Sequence, residues 1–158
     1  MKYLSMYTLL SVAALAAAAP ALGQEEQKVM AVSIPAATHG WTGGVVYHAE
    51  AAAAEIREAF PNIDVVVNTS PSAIAQVGAL EDLQASRDPD ALVILPFTSE
   101  ELTGPVETVK NAGTFITVVD RGLTDPSIQD LYVAGDNVAV GANTANWLSE
   151  QLGGDGDV

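Results

Sequence analysis

The sequence Phe115-Ile116-Thr117-Val118-Val119-Asp120-Arg121-Gly122 determines how the rest of the chain is interpreted. Its first five residues are apolar or β-branched, a composition typical of a strand buried in a parallel sheet. The run ends abruptly in an acid and a base, Asp120 and Arg121. In open α/β sheets, ligands bind beyond the carboxyl ends of the strands. Because the whole chain has only 6 lysines and arginines, we expect an arginine at this place to bind a ligand.

Strand-like and helix-like segments alternate along the rest of the chain. The other predicted strands are Val29–Pro35, Ile63–Asn68, Ala91–Leu95 and Leu131–Ala134. The predicted helices run from about Gly43 to Phe60, from Pro71 (with Ser70 as N-cap) to about Arg87, from Thr98-Ser99-Glu100-Glu101 to about Ala112, and from Gly135-Asp136-Asn137 onward. Strands and helices that alternate at this spacing predict right-handed βαβ crossovers. The predicted fold is therefore α/β, a doubly wound parallel sheet.

The first 23 residues are interpreted as a signal peptide and not as part of the fold. Lys2 precedes a short apolar run, Leu9–Ala21, and Ala21-Leu22-Gly23 supplies the small residues that a signal peptidase reads. The run is short and rich in alanine, which argues against a permanent transmembrane helix. We therefore expect cleavage near Gly23 and release of the mature chain into the periplasm.

The composition argues against several kinds of site and partner. The chain has no cysteine, which excludes disulfides, thiolate metal sites and cysteine nucleophiles. The formal net charge is −14 and no basic stripe exists, so nucleic acid is not expected as a partner. Two histidines and scattered carboxylates show no metal-ligand spacing. We expect neither a metal nor a cofactor.

Sequence motifs of the common enzyme classes are also missing. There is no G-x-S-x-G, no H-E-x-x-H and no G-x-x-x-x-G-K-[ST] sequence. The segment Gly40–Gly44 lies where a dinucleotide-binding loop would be, but it does not match G-x-G-x-x-G, and Trp41 would obstruct a pyrophosphate. The second strand ends in Asn68 rather than in an acid that would bind a ribose hydroxyl. We therefore expect that the protein is not an enzyme.

The residues expected at the strand ends suit a neutral sugar or polyol. Arg121 offers a forked set of donors, and Asp120 accepts hydrogen bonds from hydroxyl groups. Trp41 supplies an aromatic face for C–H groups and an indole N–H donor. His39, in the same loop as Trp41, both donates and accepts.

Each of these residues also has a purely structural alternative. Asp120 and Arg121 would be a turn with outward charges, Trp41 a cap on the core, and His39 a hydrogen-bonded loop residue. The ligand role is favoured for the first three, and neither role is favoured for His39. Asp136 fits a helix N-cap better than a ligand contact.

Three segments carry a resemblance to a known family. They are the loop Ala36–Trp41 before an alanine-rich helix, the sequence Val118-Val119-Asp120-Arg121, and Ala134-Gly135-Asp136-Asn137-Val138 followed by Gly141. Over essentially all of the mature chain, the sequence resembles the ribose-type periplasmic sugar-binding proteins, the solute receptors of ABC importers. The resemblance implies two Rossmann-like lobes, joined by a hinge, that close on a sugar between them.

The same resemblance implies roles for individual residues. Asp120 and Arg121 look like the pair that binds sugar hydroxyls, and Trp41 falls where an aromatic stacks on the sugar. His39 stands where ribose binders tend to have asparagine, and Thr42 where a second aromatic often stands. These differences favour another pentose, a hexose or a polyol over ribose. The candidate ligand-binding residues are Asp120, Arg121, Trp41, His39, Thr42 and Asp136.

The resemblance also implies a domain organisation. Residues 24–134 would form the first ligand-binding lobe, a type I periplasmic-binding-protein-like lobe. The chain would cross the hinge near Gly135, so that residues 135–158 hold the crossing and the first helix of a second lobe largely absent from this sequence.

The function implied is a periplasmic carrier that captures a monosaccharide or polyol and delivers it to an ABC permease in the inner membrane. One alternative is a sensory binding protein that docks on a chemoreceptor or sensor kinase. A LacI-type regulator is disfavoured by the export signal and by the lack of a basic helix-turn-helix. An exported α/β enzyme acting on carbohydrate is disfavoured because no nucleophile or metal set accompanies Asp120 and His39.

Overall fold

The computed structural model describes residues 26–154, so the expected signal peptide, residues 1–23, lies outside the described residues. The strands in this part of the chain are β1 (Lys28–Pro35), β2 (Ile63–Ser70), β3 (Ala91–Ile94), β4 (Phe115–Val119) and β5 (Leu131–Val133). The helices are α1 (Gly40–Ala59), α2 (Ala73–Arg87), α3 (Ser99–Asn111) and α4 (Asn137–Gln151).

The strands form one sheet in the order β2-β1-β3-β4-β5, and every neighbouring pair is parallel. The predicted doubly wound parallel sheet is therefore confirmed. The strand order reverses between β1 and β3, because the chain continues from β1 to β2 on one side and later returns to add β3 on the other. Ser33 is paired with Ile94, and Ile94 with Val118. This register brings the carboxyl ends of β1, β3 and β4 to the same edge.

Helices cover both faces of the sheet. The core beneath α1 comprises Val32, Ile34, Ala53, Val65 and Leu95. The core beneath α2 and α3 includes Leu80, Leu92, Ile94, Leu102, Val106, Ile116 and Val118. Consecutive residues of one strand point to opposite faces, so Ala31 joins the second core and Val32 the first. Because helices cover both faces of the central strands, β3 (ALVI) is continuously apolar and β4 (FITVV) is apolar apart from one threonine.

The first helix begins at Gly40, so the predicted start at Gly43 is wrong. The hydroxyl of Thr42 accepts hydrogen bonds from the backbone N–H groups of Thr38 at 3.0 Å and His39 at 3.3 Å. These bonds fix the chain at the entry to the helix and offset the low helix propensity of the glycines there. The other predicted bounds agree with the structure to within two residues.

The predicted cap of the second helix is also wrong. Ser70, expected to be the N-cap, is the last residue of β2 and is paired with Pro35 of β1. The cap is Ser72, whose Oγ accepts the backbone N–H of Ala75 at 3.1 Å. Pairing with β1 extends the strand past the point where the local sequence alone would start a helix.

Helix α4 lies clear of the other elements of residues 26–154 and has no buried residue. Its exposed side chains include Val138, Val140 and Trp147. In the described part of the chain, no helix is both long enough and apolar enough to span a membrane.

Candidate functional site

A cleft of about 180 Å³ opens at the carboxyl ends of β1, β3 and β4, next to the point where the strand order reverses. Ligands of doubly wound sheets bind at such switch points. The lining residues are Pro35, Thr38, His39, Trp41, Thr42, Leu95, Phe97, Asp120 and Arg121. The structure thus brings together all the sequence-predicted candidates except Asp136.

The backbone of Asp120 turns sharply as β4 ends. Its φ of 61° lies in the left-handed region that residues other than glycine rarely adopt. Its N–H donates to the carbonyl of Val133 at 2.8 Å, and its own carbonyl accepts from the Tyr132 hydroxyl at 2.7 Å. Within residues 26–154, no protein group is hydrogen-bonded to the Asp120 carboxylate. The backbone is therefore fixed while the carboxylate is available to a ligand.

The guanidinium of Arg121 is held by backbone carbonyl groups. Its Nη1 donates to the carbonyl oxygen of Pro96 at 3.0 Å and also to that of Phe97. Its Nε and Nη2 have no partner among the described residues. Because a guanidinium is planar, anchoring one nitrogen restricts the orientation of the other two. The anchored group can then present a directed set of donors to the cleft.

The loop after β1 and the first turn of α1 supply Thr38, His39, Trp41 and Thr42 to the lining of the cleft. The Trp41 side chain is exposed, with 60% of its surface accessible, and His39 is also exposed. Thr42 is buried, and its hydroxyl makes the two contacts described above and donates to the carbonyl of His39 at 3.1 Å. Trp41 and His39 therefore have surface to offer a ligand, whereas the hydroxyl of Thr42 is used to shape the loop.

Asp136 lies outside the group of residues that line the cleft. Its Oδ1 accepts the backbone N–H of Ala139 at 2.9 Å, which makes it the N-cap of α4. The favoured interpretation of Asp136 as a helix cap is confirmed, and its contact with a ligand stays a prediction.

Gln76 is not among the residues predicted from the sequence; it is buried behind the cleft with 0% of its surface exposed. Its side-chain amide bonds to Ser33, Leu95 and Phe97. One signal was present in the sequence. Gln76 is polar but lies on the buried stripe of α2, three residues after Ala73 and four before Leu80.

A second groove of about 180 Å³ lies between α2 and the β1–β2 part of the sheet. Its charged residues include Arg87, which pairs with Asp64 at 2.5 Å. No candidate ligand residue lines this groove.

In residues 26–154, no three His, Asp or Glu side chains lie close enough together to hold a metal ion.

Comparison with known proteins identifies the family. A sequence profile described as a periplasmic binding protein domain matches residues 30–158. The chain belongs to this family. The resemblance stated from the sequence is thereby confirmed, and the five-stranded parallel sheet with its flanking helices has the α/β fold of such proteins.

Individual relatives bind small sugars and polyols. A xylitol-binding protein from Mycolicibacterium smegmatis is 26% identical over 97 residues, which are 61% of this chain and 28% of that protein. An ABC transporter solute binding protein from Agrobacterium vitis, solved with α-D-tagatopyranose, is 26% identical with a TM-score of 0.63, covering 80% of this chain and 44% of that one.

A structure at lower identity shows the same fold. The Caulobacter myo-inositol binding protein, bound to myo-inositol, is 19% identical with a TM-score of 0.67 and covers 83% of this chain and 43% of that chain. The present chain thus spans less than half the length of each relative.

Proposed function

We propose that this protein captures a monosaccharide or polyol in the periplasm and delivers it to an ABC-type importer. The observation that supports the proposal most is the cleft in which Asp120 and Arg121 lie together with the exposed ring of Trp41. In this proposal the protein carries its ligand unchanged and catalyses no reaction. The expected signal peptide, cleaved near Gly23, would direct export.

The chemistry of the cleft suits a neutral polyhydroxy ligand. A carboxylate and a guanidinium together add no net charge, so neither a strongly anionic nor a strongly cationic ligand is favoured. The carboxylate of Asp120 accepts hydrogen bonds from hydroxyl groups, and Arg121 donates to their oxygens. The indole of Trp41 can stack on the C–H face of a ring or chain.

The proposed mechanism is closure of two lobes around the ligand, as the family resemblance implies. The described cleft is open on one side, so a ligand bound only there stays exposed to water. A second lobe that closes over it would exclude water and add contacts made only in the closed form. The ligand would then shift an open–closed equilibrium by its difference in affinity for the two forms. The importer would recognise the closed form.

The test is a ligand screen on the protein expressed from its complete gene. We expect one class among pentoses, hexoses and polyols, with xylitol, tagatose and myo-inositol included, to raise the Tm, because a ligand that binds only the folded state stabilises it. Asp120→Ala and Arg121→Ala should each weaken binding roughly 10- to 100-fold, since each removes hydrogen bonds to a charged group. Calorimetry measures the affinities.

Arg87→Ala is the matched control, because Arg87 is an exposed arginine outside the cleft. It should leave the Kd unchanged. If no member of the panel raises the Tm, the sugar assignment fails. If any glycoside or sugar is turned over by the purified protein, the carrier role fails and an enzyme must be considered.

A further inference from the structure

Every hydrogen-bonding group of the Gln76 side chain has a partner in the core behind the cleft. Its Nε2 donates to the hydroxyl of Ser33 at 3.1 Å and to the carbonyl of Leu95 at 3.0 Å, and its Oε1 accepts the backbone N–H of Phe97 at 2.7 Å. An amide has two N–H donors and a carbonyl acceptor. A glutamate in its ionised form would lack both donors, and an aliphatic residue would lack all three groups.

These bonds fix the segment that follows β3. Leu95 and Phe97 are held on either side of Pro96, and Leu95 also donates its N–H to the carbonyl of Ser33 at 3.0 Å. The segment therefore cannot move away from the carboxyl end of β1 without breaking a buried hydrogen bond. Breaking it would leave buried polar groups without partners, which destabilises the displaced arrangement.

The same segment anchors Arg121. The two carbonyl groups that accept from its Nη1 belong to Pro96 and Phe97. A continuous series of hydrogen bonds thus runs from Gln76 in α2, through the backbone after β3, to the guanidinium at the end of β4. Gln76 itself does not line the cleft.

We propose that Gln76 is a positioning residue, which fixes the orientation of the Arg121 guanidinium by holding the backbone from Leu95 to Phe97. Its effect on ligand affinity rests on the proposed function, but its effect on Arg121 does not. The residue acts without touching the ligand. It is also expected to influence Phe97, which lines the cleft next to Arg121.

The first measurement needs only the unsubstituted protein from its complete gene. Phe97 follows β3 and lies outside regular secondary structure, yet its N–H is bonded to a fully buried side chain. Amide hydrogen exchange should therefore show Phe97 protected to the same degree as Ile94 within the strand. Rapid exchange at Phe97 would overturn the proposal even if no variant were available.

The second measurement compares Gln76→Leu with Thr114→Val. Thr114 is also a buried polar residue, but its hydroxyl donates to Pro89 at the opposite edge of the sheet, at 2.8 Å. The Gln76 variant should lose protection at Phe97, and the separate NMR signals of the Arg121 side-chain N–H groups should merge as the group gains rotational freedom. The Thr114 variant should keep the protection at Phe97 and the separate Arg121 signals, even if its Tm falls as far as that of the Gln76 variant.

Binding of the sugar identified in the screen completes the test. Gln76→Leu should raise the Kd roughly tenfold through loss of an oriented donor group, and Thr114→Val should leave it unchanged. An unchanged Kd with unchanged Arg121 signals in Gln76→Leu would overturn the positioning role. If the unsubstituted protein binds no sugar, the proposed function fails, and the NMR and exchange measurements still decide whether Gln76 positions Arg121.

Discussion

Asp120 occupies a backbone conformation that costs about 1–2 kcal/mol for a residue with a Cβ atom. Two hydrogen bonds, to Val133 and from Tyr132, hold it there. Glycine would adopt the same φ without this cost. Residues held in such conformations cluster at functional sites. We infer that the acid is retained at this position for its carboxylate and not for the stability of the turn.

This inference predicts a difference between two substitutions of Asp120. Both Asp120→Gly and Asp120→Ala remove the carboxylate and should weaken ligand binding to a similar degree. Asp120→Gly should nevertheless be more stable than Asp120→Ala, by about 1 kcal/mol, because only glycine relieves the strain at positive φ. Urea denaturation without ligand gives the two free energies of unfolding. Equal stability of the two variants would show that the backbone at residue 120 is not strained in solution.

For single residues, the sequence predicted where the site residues lie in the fold better than it predicted their backbone conformation. Asp120 and Arg121 are found at the end of a central strand, because an apolar run followed by charges marks a strand end in any α/β sheet. The left-handed backbone of Asp120 leaves no such mark. The role of Gln76 depends on partners that lie 43, 19 and 21 residues away in the chain, and such partners cannot be read from local sequence.

Helix α1 is one of the elements that build the cleft, and its start depends on one hydroxyl group, that of Thr42. Gly40, Gly43 and Gly44 all lie in the first turns of this helix, and glycine lowers helix stability by about 1 kcal/mol per residue relative to alanine. The hydroxyl of Thr42 compensates by accepting two backbone N–H groups and donating to the carbonyl of His39. The helix therefore begins where Trp41 and His39 are presented to the cleft.

We predict that Thr42→Val lowers the free energy of unfolding by about 1 kcal/mol, the typical cost of losing a capping interaction, because Thr42 is the N3 residue of the capping box. The valine has the same shape as threonine but cannot accept the backbone N–H groups of Thr38 and His39. Thr42→Ser keeps the hydroxyl and should lose less than half as much. Denaturant titrations without ligand measure both values. A valine variant as stable as the serine variant would mean that the hydroxyl does not stabilise the loop.

The helix starts that were predicted incorrectly share a physical cause. Gly40 was taken as loop, although side-chain contacts from Thr42 stabilise helix there. Ser70 and Pro71 form a typical cap sequence, but pairing of Ser70 with Pro35 extends β2 through it. The first boundary was decided by a side-chain contact three and four residues along the chain, and the second by pairing with a distant strand. The existence and type of every element followed from the composition and alternation of the segments.

For the whole molecule, alternation of apolar strands with helices was enough to predict the doubly wound sheet. It did not predict the contacts at the edge opposite the cleft. There, Asp90 accepts the backbone N–H of Val29 at 2.8 Å and pairs with Lys28 at 2.9 Å. Asp130 accepts the backbone N–H of Ile116 at 2.8 Å and pairs with Lys110. Each acid precedes one strand and binds the start of its neighbour, so the two contacts tie β1 to β3 and β4 to β5.

These contacts predict how stability depends on pH. The backbone N–H of Val29, followed by the Lys28 ammonium, lowers the pKa of Asp90. The N–H of Ile116, followed by Lys110, lowers the pKa of Asp130.

Because both folded-state values lie below the unfolded value of about 3.9, their contribution is complete above that value and is lost as pH falls through the folded pKa. Asp90→Asn and Asp130→Asn should therefore lower the Tm at pH 7, and their difference from the unsubstituted protein should shrink below about pH 4. Glu107→Gln is the control, since Glu107 has no ion pair or side-chain hydrogen bond within residues 26–154 and its replacement should leave the Tm almost unchanged throughout. A deficit in the two asparagine variants that stays constant down to pH 2 would show that the deficit does not come from the charge of these acids.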